Sequence, residues 1–319
     1  MARLGIVLYH GIDSGADLKE YGRLADEGGF ESLWVTERYF HEETFSMLGF
    51  LAAATRDIKL GLGVANPYTR HPALLAMACA TLDRISGGRF LLGLGRSDRS
   101  LIQDRMGIPY GSPLSTLEAT VSTLRGLLSG EGGGNARLAI SPAQEKPPIY
   151  LAAIGPRALR LAGTVADGVL LNAYTPTAYV RYAVNEVRRA AEEAGRDPRS
   201  VDIACMLTTR LTDDAESIWP SLKQRIVRLL AEPQVGEILL EKGGFDQSIL
   251  APVRASDKSD DGKYAATLIS DDMVESFYLV GSEERCKERI VEYREAGVDL
   301  PLLLPRLEDY ARVAGTLGD

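Results

Sequence analysis

Short, almost wholly apolar runs alternate with longer amphipathic stretches along nearly the whole chain, and this alternation restricts the possible folds more than any other feature. Eight runs read as strands: Leu4–Tyr9, Ser32–Val35, Ile58–Leu62, Arg89–Leu94, Ile149–Ala152, Gly168–Leu171, Val201–Leu207 and Leu300–Leu304. Their apolar residues are near-continuous, as expected of a parallel sheet covered by helices. Between most of them the spacing is helical. Leu18, Tyr21, Leu24 and Gly28 share one face of the first helix, and Val184, Val187 and Ala191 one face of a later one. Gly28-Gly29 and Gly195 stand where helices end on glycine. Eight such units predict a (β/α)8 barrel rather than an open doubly wound sheet, with residues 1–319 forming a single domain.

Two segments break the rhythm. Residues 130–144 are glycine-rich and read as a flexible connector before the fifth strand. Residues 231–272 read as an insertion between the seventh and eighth strands, either a solvated segment or a lid, with a polar run from Lys258 to Lys263.

Net charge of −8 argues against a basic face for nucleic acid or an anionic membrane, and leaves a small molecule as the expected partner. No signal segment precedes the first strand, and no apolar stretch approaches the ~20 residues that span a bilayer. A cytoplasmic protein is expected. Cys79, Cys205 and Cys286 are far apart and read as buried thiols; His10, His41 and His71 are too scattered for a metal site.

Chemistry is expected where strands end. The third and fourth strands lead into Gly63-Val64-Ala65-Asn66 and Gly95-Arg96-Ser97-Asp98, which sit at the rim where an α/β barrel builds its site. Gly155-Pro156-Arg157 opens a helix after the fifth strand. Proline suits that first turn, and the free N–H groups there can hold a phosphate, with Arg157 adding charge. Asp98 reads as an acid or as a helix cap. Asn172 follows the sixth strand as a ligand contact or a turn residue. Glu37 ends the second strand as an acid, or as an ion pair with Arg38 or Arg70.

Several longer motifs extend these. They are Gly63 to Pro72, Thr81-Leu82-Asp83-Arg84-Ile85-Ser86-Gly87-Gly88-Arg89, Gln144 to Tyr150, Gly155 to Leu159, Ala162 to Gly168, and Phe277-Tyr278-Leu279-Val280-Gly281. On these the chain resembles the bacterial-luciferase-like flavin and deazaflavin oxidoreductases, in particular the methylenetetrahydromethanopterin reductase branch that uses coenzyme F420. The resemblance implies a cis peptide at Gly63–Val64 that supports the cofactor ring. It implies cofactor binding by Gly63, Val64, Asn66, Gly95, Ser97, Ala153, Gly155, Pro156, Arg157 and Asn172, with Glu37 and Asp98 as catalytic groups. The cofactor implied is coenzyme F420, with FMN as the alternative, and the assembly implied is a homodimer. The expected reaction is hydride transfer to a C=C or C=N centre. Its rivals are an FMN-dependent monooxygenase fed by a separate reductase, and a non-catalytic flavin-binding barrel. Two positions depart from the family pattern: Val7 stands where an acidic residue is expected, and Glu37-Arg38 where Asp-His is common. Proton delivery and substrate are therefore expected to differ, with His10 and His41 as further proton-donor candidates.

Overall fold

The computed structural model describes residues 3–132, 137–232, 235–256 and 263–318. Its strands are β1 (Gly5–Leu8), β2 (Ser32–Val35), β3 (Lys59–Ala65), β4 (Phe90–Leu94), β5 (Ile149–Ala153), β6 (Gly168–Leu171), β7 (Asp202–Leu211), β8 (Leu279–Gly281) and β9 (Leu300–Leu304). All pairings are parallel. β1 to β6 pair in sequence, β9 lies between β7 and β1, and the β6–β7 pairing closes the ring. The predicted (β/α)8 barrel is the fold. Among the described residues no helix is long and apolar enough to cross a membrane.

Strand alternation divides the core into two layers. Val7, Trp34, Leu91, Tyr150, Leu170, Ala204, Met206, Leu300 and Leu302 fill the barrel, while Ile6, Leu33, Leu60, Leu92, Leu151, Cys205 and Leu303 meet the helices outside. Because both faces are buried, each strand reads as one apolar run. The interior admits large rings where a neighbour is glycine. The Trp34 ring fills the space of a side chain at Gly61, Tyr150 does the same at Gly168, and the two rings meet edge-on at 5.2 Å.

Four features differ from the sequence reading. β3 runs on to Ala65 through a break in register, and β7 runs on to Leu211. β7 gains this length by pairing Thr209 to Leu211 with β8, a ninth strand outside the ring. The described residues of segment 231–272 are largely helical. Leu239, Leu240, Leu250 and Val253 are buried, and Val235–Gly243 and Leu250–Ser256 pack against the helix Trp219–Ala231. Residues 258–262 of the expected polar run lie outside the described residues, as do 133–136 of the glycine-rich connector. The three cysteines are buried free thiols, as expected.

Candidate active site

The carboxyl ends of β3 and β4 form a glycine-lined ledge. Between Leu62 and Ala65 the register slips, and the Gly63–Val64 peptide there is cis, as the resemblance implies. The Val64 side chain turns toward β4, which accommodates it by having no side chains there. A Cβ on Gly95 would stand 2.5 Å from Val64 Cγ2, and one on Gly93 would stand 2.9 Å from Cγ1. In the other direction, a Cβ on Gly63 would lie 3.1 Å from Met206 Cε and 3.7 Å from Leu170 Cδ2. The ledge therefore looks across the barrel at β6 and β7, and Gly63, Val64 and Gly95 do come together.

The loop after β3 is held from within. Asn66, 2% exposed, accepts from the backbone N–H groups of Tyr68 at 2.9 Å and Thr69 at 3.0 Å, and its amide donates to the Tyr39 hydroxyl. Its polar atoms thus shape the turn that carries Arg70. Arg70 Nη1 donates to Glu37 Oε1 at 2.5 Å and Oε2 at 2.8 Å, while Nη2 reaches Glu43. The Glu37 side chain is only 5% exposed. Burial pushes its carboxyl above the ordinary glutamate range, against the opposing pull of Arg70. The pairing considered for Glu37 thus forms with Arg70, while Arg38 donates to the Tyr9 hydroxyl at 3.1 Å.

Asp98 takes the capping role. It is exposed, and its Oδ1 accepts from Ser100 Oγ at 2.8 Å and the Leu101 N–H at 2.7 Å, holding the π-helical turn Ser100–Arg105. Ser97, just before it, adopts a left-handed φ of 55°. Ala153 turns outward into the helix layer; its neighbour Ala152 has its Cβ 3.5 Å from where a Cβ on Gly95 would stand. Asn172 is exposed and accepts from the adjacent Ala173 N–H at 2.9 Å, a turn residue's contact. Gly155 is the N-cap of the helix Pro156–Val165 and offers no side-chain acceptor; a Cβ there would meet nothing within 4 Å. Pro156 and Arg157 are exposed beside it. The helix end is thus open to an anion.

Thr36 and Thr208, outside the sequence reading, and His10, named there as a proton-donor candidate, stand at this same end of the barrel. Thr36 Oγ1, Thr208 Oγ1 and His10 Nδ1, at the carboxyl ends of β2, β7 and β1, are buried with no hydrogen-bond partner among the described residues. Burial, with the nearby charge of Arg38 and His41, pushes the His10 imidazole down to about 4, so it is neutral near pH 7. Buried polar atoms are normally paired, and Thr36 and Thr208, at inward positions of β2 and β7, leave hydroxyls that a ligand in the mouth would complete. Thr36 and Thr208 were legible as polar residues at inward positions where an apolar run ends. The ledge, the open helix end and these unpaired atoms suit a flat ligand with polar edges and an anionic tail.

A closed parallel barrel with this ledge and mouth is the architecture of a cofactor-binding enzyme barrel. The sequence model of the luciferase-like monooxygenases matches residues 2–300, and the chain belongs to that family. It is 36% identical over 291 residues to the 5,10-methylenetetrahydromethanopterin reductase of Methanolobus tindarius, spanning 88% of this chain and 87% of that protein. It is 30% identical over 300 residues to the phthiodiolone/phenolphthiodiolone dimycocerosates ketoreductase of Mycobacterium tuberculosis, spanning 86% of this chain and 77% of that one. The solved structure of the coenzyme F420-dependent tetrahydromethanopterin reductase of Methanopyrus kandleri superposes with a TM-score of 0.82 at 26% identity, over 100% of this chain and 97% of its own.

Proposed function

We propose that the protein is a coenzyme F420-dependent oxidoreductase that transfers hydride between the deazaflavin and a C=C or C=N centre of a small molecule. The observation that carries this reading is the ledge at Gly63–Val64, seated against Gly93 and Gly95, in a chain whose relatives include reductases and an F420-dependent structure. Coenzyme F420, when bound, supplies a two-electron hydride donor.

The chain's own residues supply the setting. Val64, Leu170 and Met206 give the ledge and the wall facing it an apolar surface that excludes water. The helix N-terminus at Gly155 to Arg157 holds the phosphate of the cofactor's tail. Glu37, oriented by Arg70, is the acidic group at the rim placed to exchange a proton with the substrate. Val7 is fully buried among Trp34 and Leu302, so β1 brings no carboxylate into the barrel. That difference, and relatives that reduce a pterin derivative in one case and a ketone in another, support an acceptor particular to this chain.

The test is a binding titration against F420 and FMN, each oxidised and reduced. Micromolar or tighter binding of F420 with little for FMN is expected. Preference for FMN would move the assignment to a monooxygenase, and binding of neither would overturn it.

A further inference from the structure

We propose that the acceptor carries an oxyanion, a carboxylate or a phosphate, and that Arg210 and Thr208 bind it at the mouth of the barrel. The argument begins with alternation along β7. Ala204 and Met206 point into the barrel core, so Thr208 and Arg210 occupy the next two inward positions toward the mouth. Thr208 is 3% exposed and its hydroxyl has no partner among the described residues. Arg210 is 8% exposed, and its Nη1 donates to the adjacent Thr209 carbonyl at 2.9 Å.

Among the described residues no carboxylate forms an ion pair with Arg210. Asp309, the acidic group that acts on it, accepts from Arg306 Nε at 2.9 Å, and Arg306 also pairs with Glu308. Arg306 follows β9 and adds a second positive charge near Arg210. The rings of Tyr174 and Tyr278, edge-on at 5.1 Å, stand close by. A guanidinium withdrawn from water with no carboxylate paired to it is disfavoured unless a bound partner completes it. Its planar fork of donors matches a carboxylate or phosphate. In a chain of net charge −8 this is a local positive site.

Position assigns the anion to the acceptor rather than to the cofactor. In the ring of eight strands β7 is four steps from β3 in either direction, directly across from the Gly63–Val64 ledge. The open helix end that would take the cofactor's phosphate follows β5, not β7. A ring lying on the ledge leaves the β7 side of the mouth to the second molecule. This assignment of the anion rests on the F420 reading; the anion site itself does not.

Calorimetric titrations of the protein with inorganic phosphate, benzoate and uncharged benzamide, with and without bound oxidised F420, test the proposal. Saturable binding of phosphate or benzoate is expected, at least 10-fold tighter than benzamide, and the preferred anion identifies the group. Arg210→Met should lose 10-fold or more of that affinity and Thr208→Val a few-fold, with the F420 dissociation constant within 2-fold of the parent. Arg210→Lys, which keeps the charge without the fork, should fall between. The Arg210→Met melting temperature should hold or rise, because an unpaired buried charge is removed. Equal anion affinity in Arg210→Met, or no saturable binding of either anion, overturns the proposal. Loss of F420 rather than of the anion would give Arg210 to the cofactor and overturn it too. If the anion behaves as expected while neither F420 nor FMN binds, the site stands and the proposed cofactor falls.

Discussion

Val64 occupies the volume that a side chain at position 95 would need: a Cβ on Gly95 would lie 2.5 Å from its Cγ2. The bulge of β3 and the glycine of β4 therefore specify each other. Gly95→Ala should strain the ledge, costing about 1–3 kcal/mol as overpacking does, and should weaken F420 binding 10-fold or more. Adding Val64→Ala removes the colliding methyl and should restore most of the stability. Urea unfolding and F420 fluorescence titration read the two effects. Unchanged values in Gly95→Ala would show that this pair does not position the ledge.

The Glu37–Arg70 pair predicts an asymmetry. Arg70→Met strands a carboxylate that is 5% exposed and should cost about 3–5 kcal/mol, whereas Glu37→Leu combined with Arg70→Met should come within about 1 kcal/mol of the parent. The pH dependence follows from the raised carboxyl of Glu37. A folded-state value above the unfolded one, about 4.3, favours the folded protein at low pH and loses that contribution as pH rises through the folded value. Arg70→Met removes the opposing pull, so its deficit should be smaller at pH 4 than at pH 7. Equal deficits at both pH values would contradict the assignment. In the proposed chemistry, Glu37→Gln should slow turnover about 100-fold or more with F420 affinity unchanged.

Asp83 and Gln144 join two of the sequence motifs in a purely structural bond. Asp83 is fully buried; it accepts from the Gln144 backbone N–H at 2.8 Å and from Nε2 at 2.6 Å, and the same amide reaches the Phe90 carbonyl at 2.9 Å. Arg89 of the same motif donates to the Thr55 hydroxyl and to the Ala52, Thr55, Ile58 and Ser86 carbonyls. Gln144→Ala should cost about 2–3 kcal/mol. Gln144→Glu should cost more at neutral pH, because it sets a second carboxylate against the first. Both variants should bind F420 like the parent once folded, and a selective loss of cofactor affinity would place the motif in the site after all.

These residues also mark what could be read from the sequence. The barrel was legible because strands covered on both faces leave unbroken apolar runs. The overrun of β7 was hidden because Thr208 and Arg210 interrupt its run, and β8 because three residues between the helices Asp271–Phe277 and Glu283–Glu295 carry no period. Buried Leu239 and Leu240 were masked by the polar run that follows in 231–272. At the mouth, the cis bulge was implied by the family resemblance alone, whereas the open helix end was legible in Gly155-Pro156-Arg157. Which polar side chains remain available was not. Asn66 read as a ligand contact, Asp98 as an acid or a helix cap and Asn172 as a ligand contact or a turn residue, and all three accept from backbone N–H groups one to three residues onward. Short amide and carboxylate side chains prefer such local donors, and this competition leaves no trace in spacing.

Gly155 allows the phosphate assignment to be separated from stability. Its backbone is extended, at φ −85° and ψ 157°, and a Cβ there would meet nothing within 4 Å, so a side chain can be added without strain. Aspartate is a favoured N-cap, and Gly155→Asp should raise helix stability by a few tenths of a kcal/mol. Its charge would oppose a phosphate at the same N–H groups, so F420 affinity should fall 10-fold or more, and less at high salt. Gly155→Ser supplies a cap acceptor without the charge and should keep most of the affinity. Stability and binding must then move in opposite directions in Gly155→Asp. If affinity stays at the parent value while the melting temperature rises, the helix end is only a helix end, and the phosphate is held elsewhere on the rim.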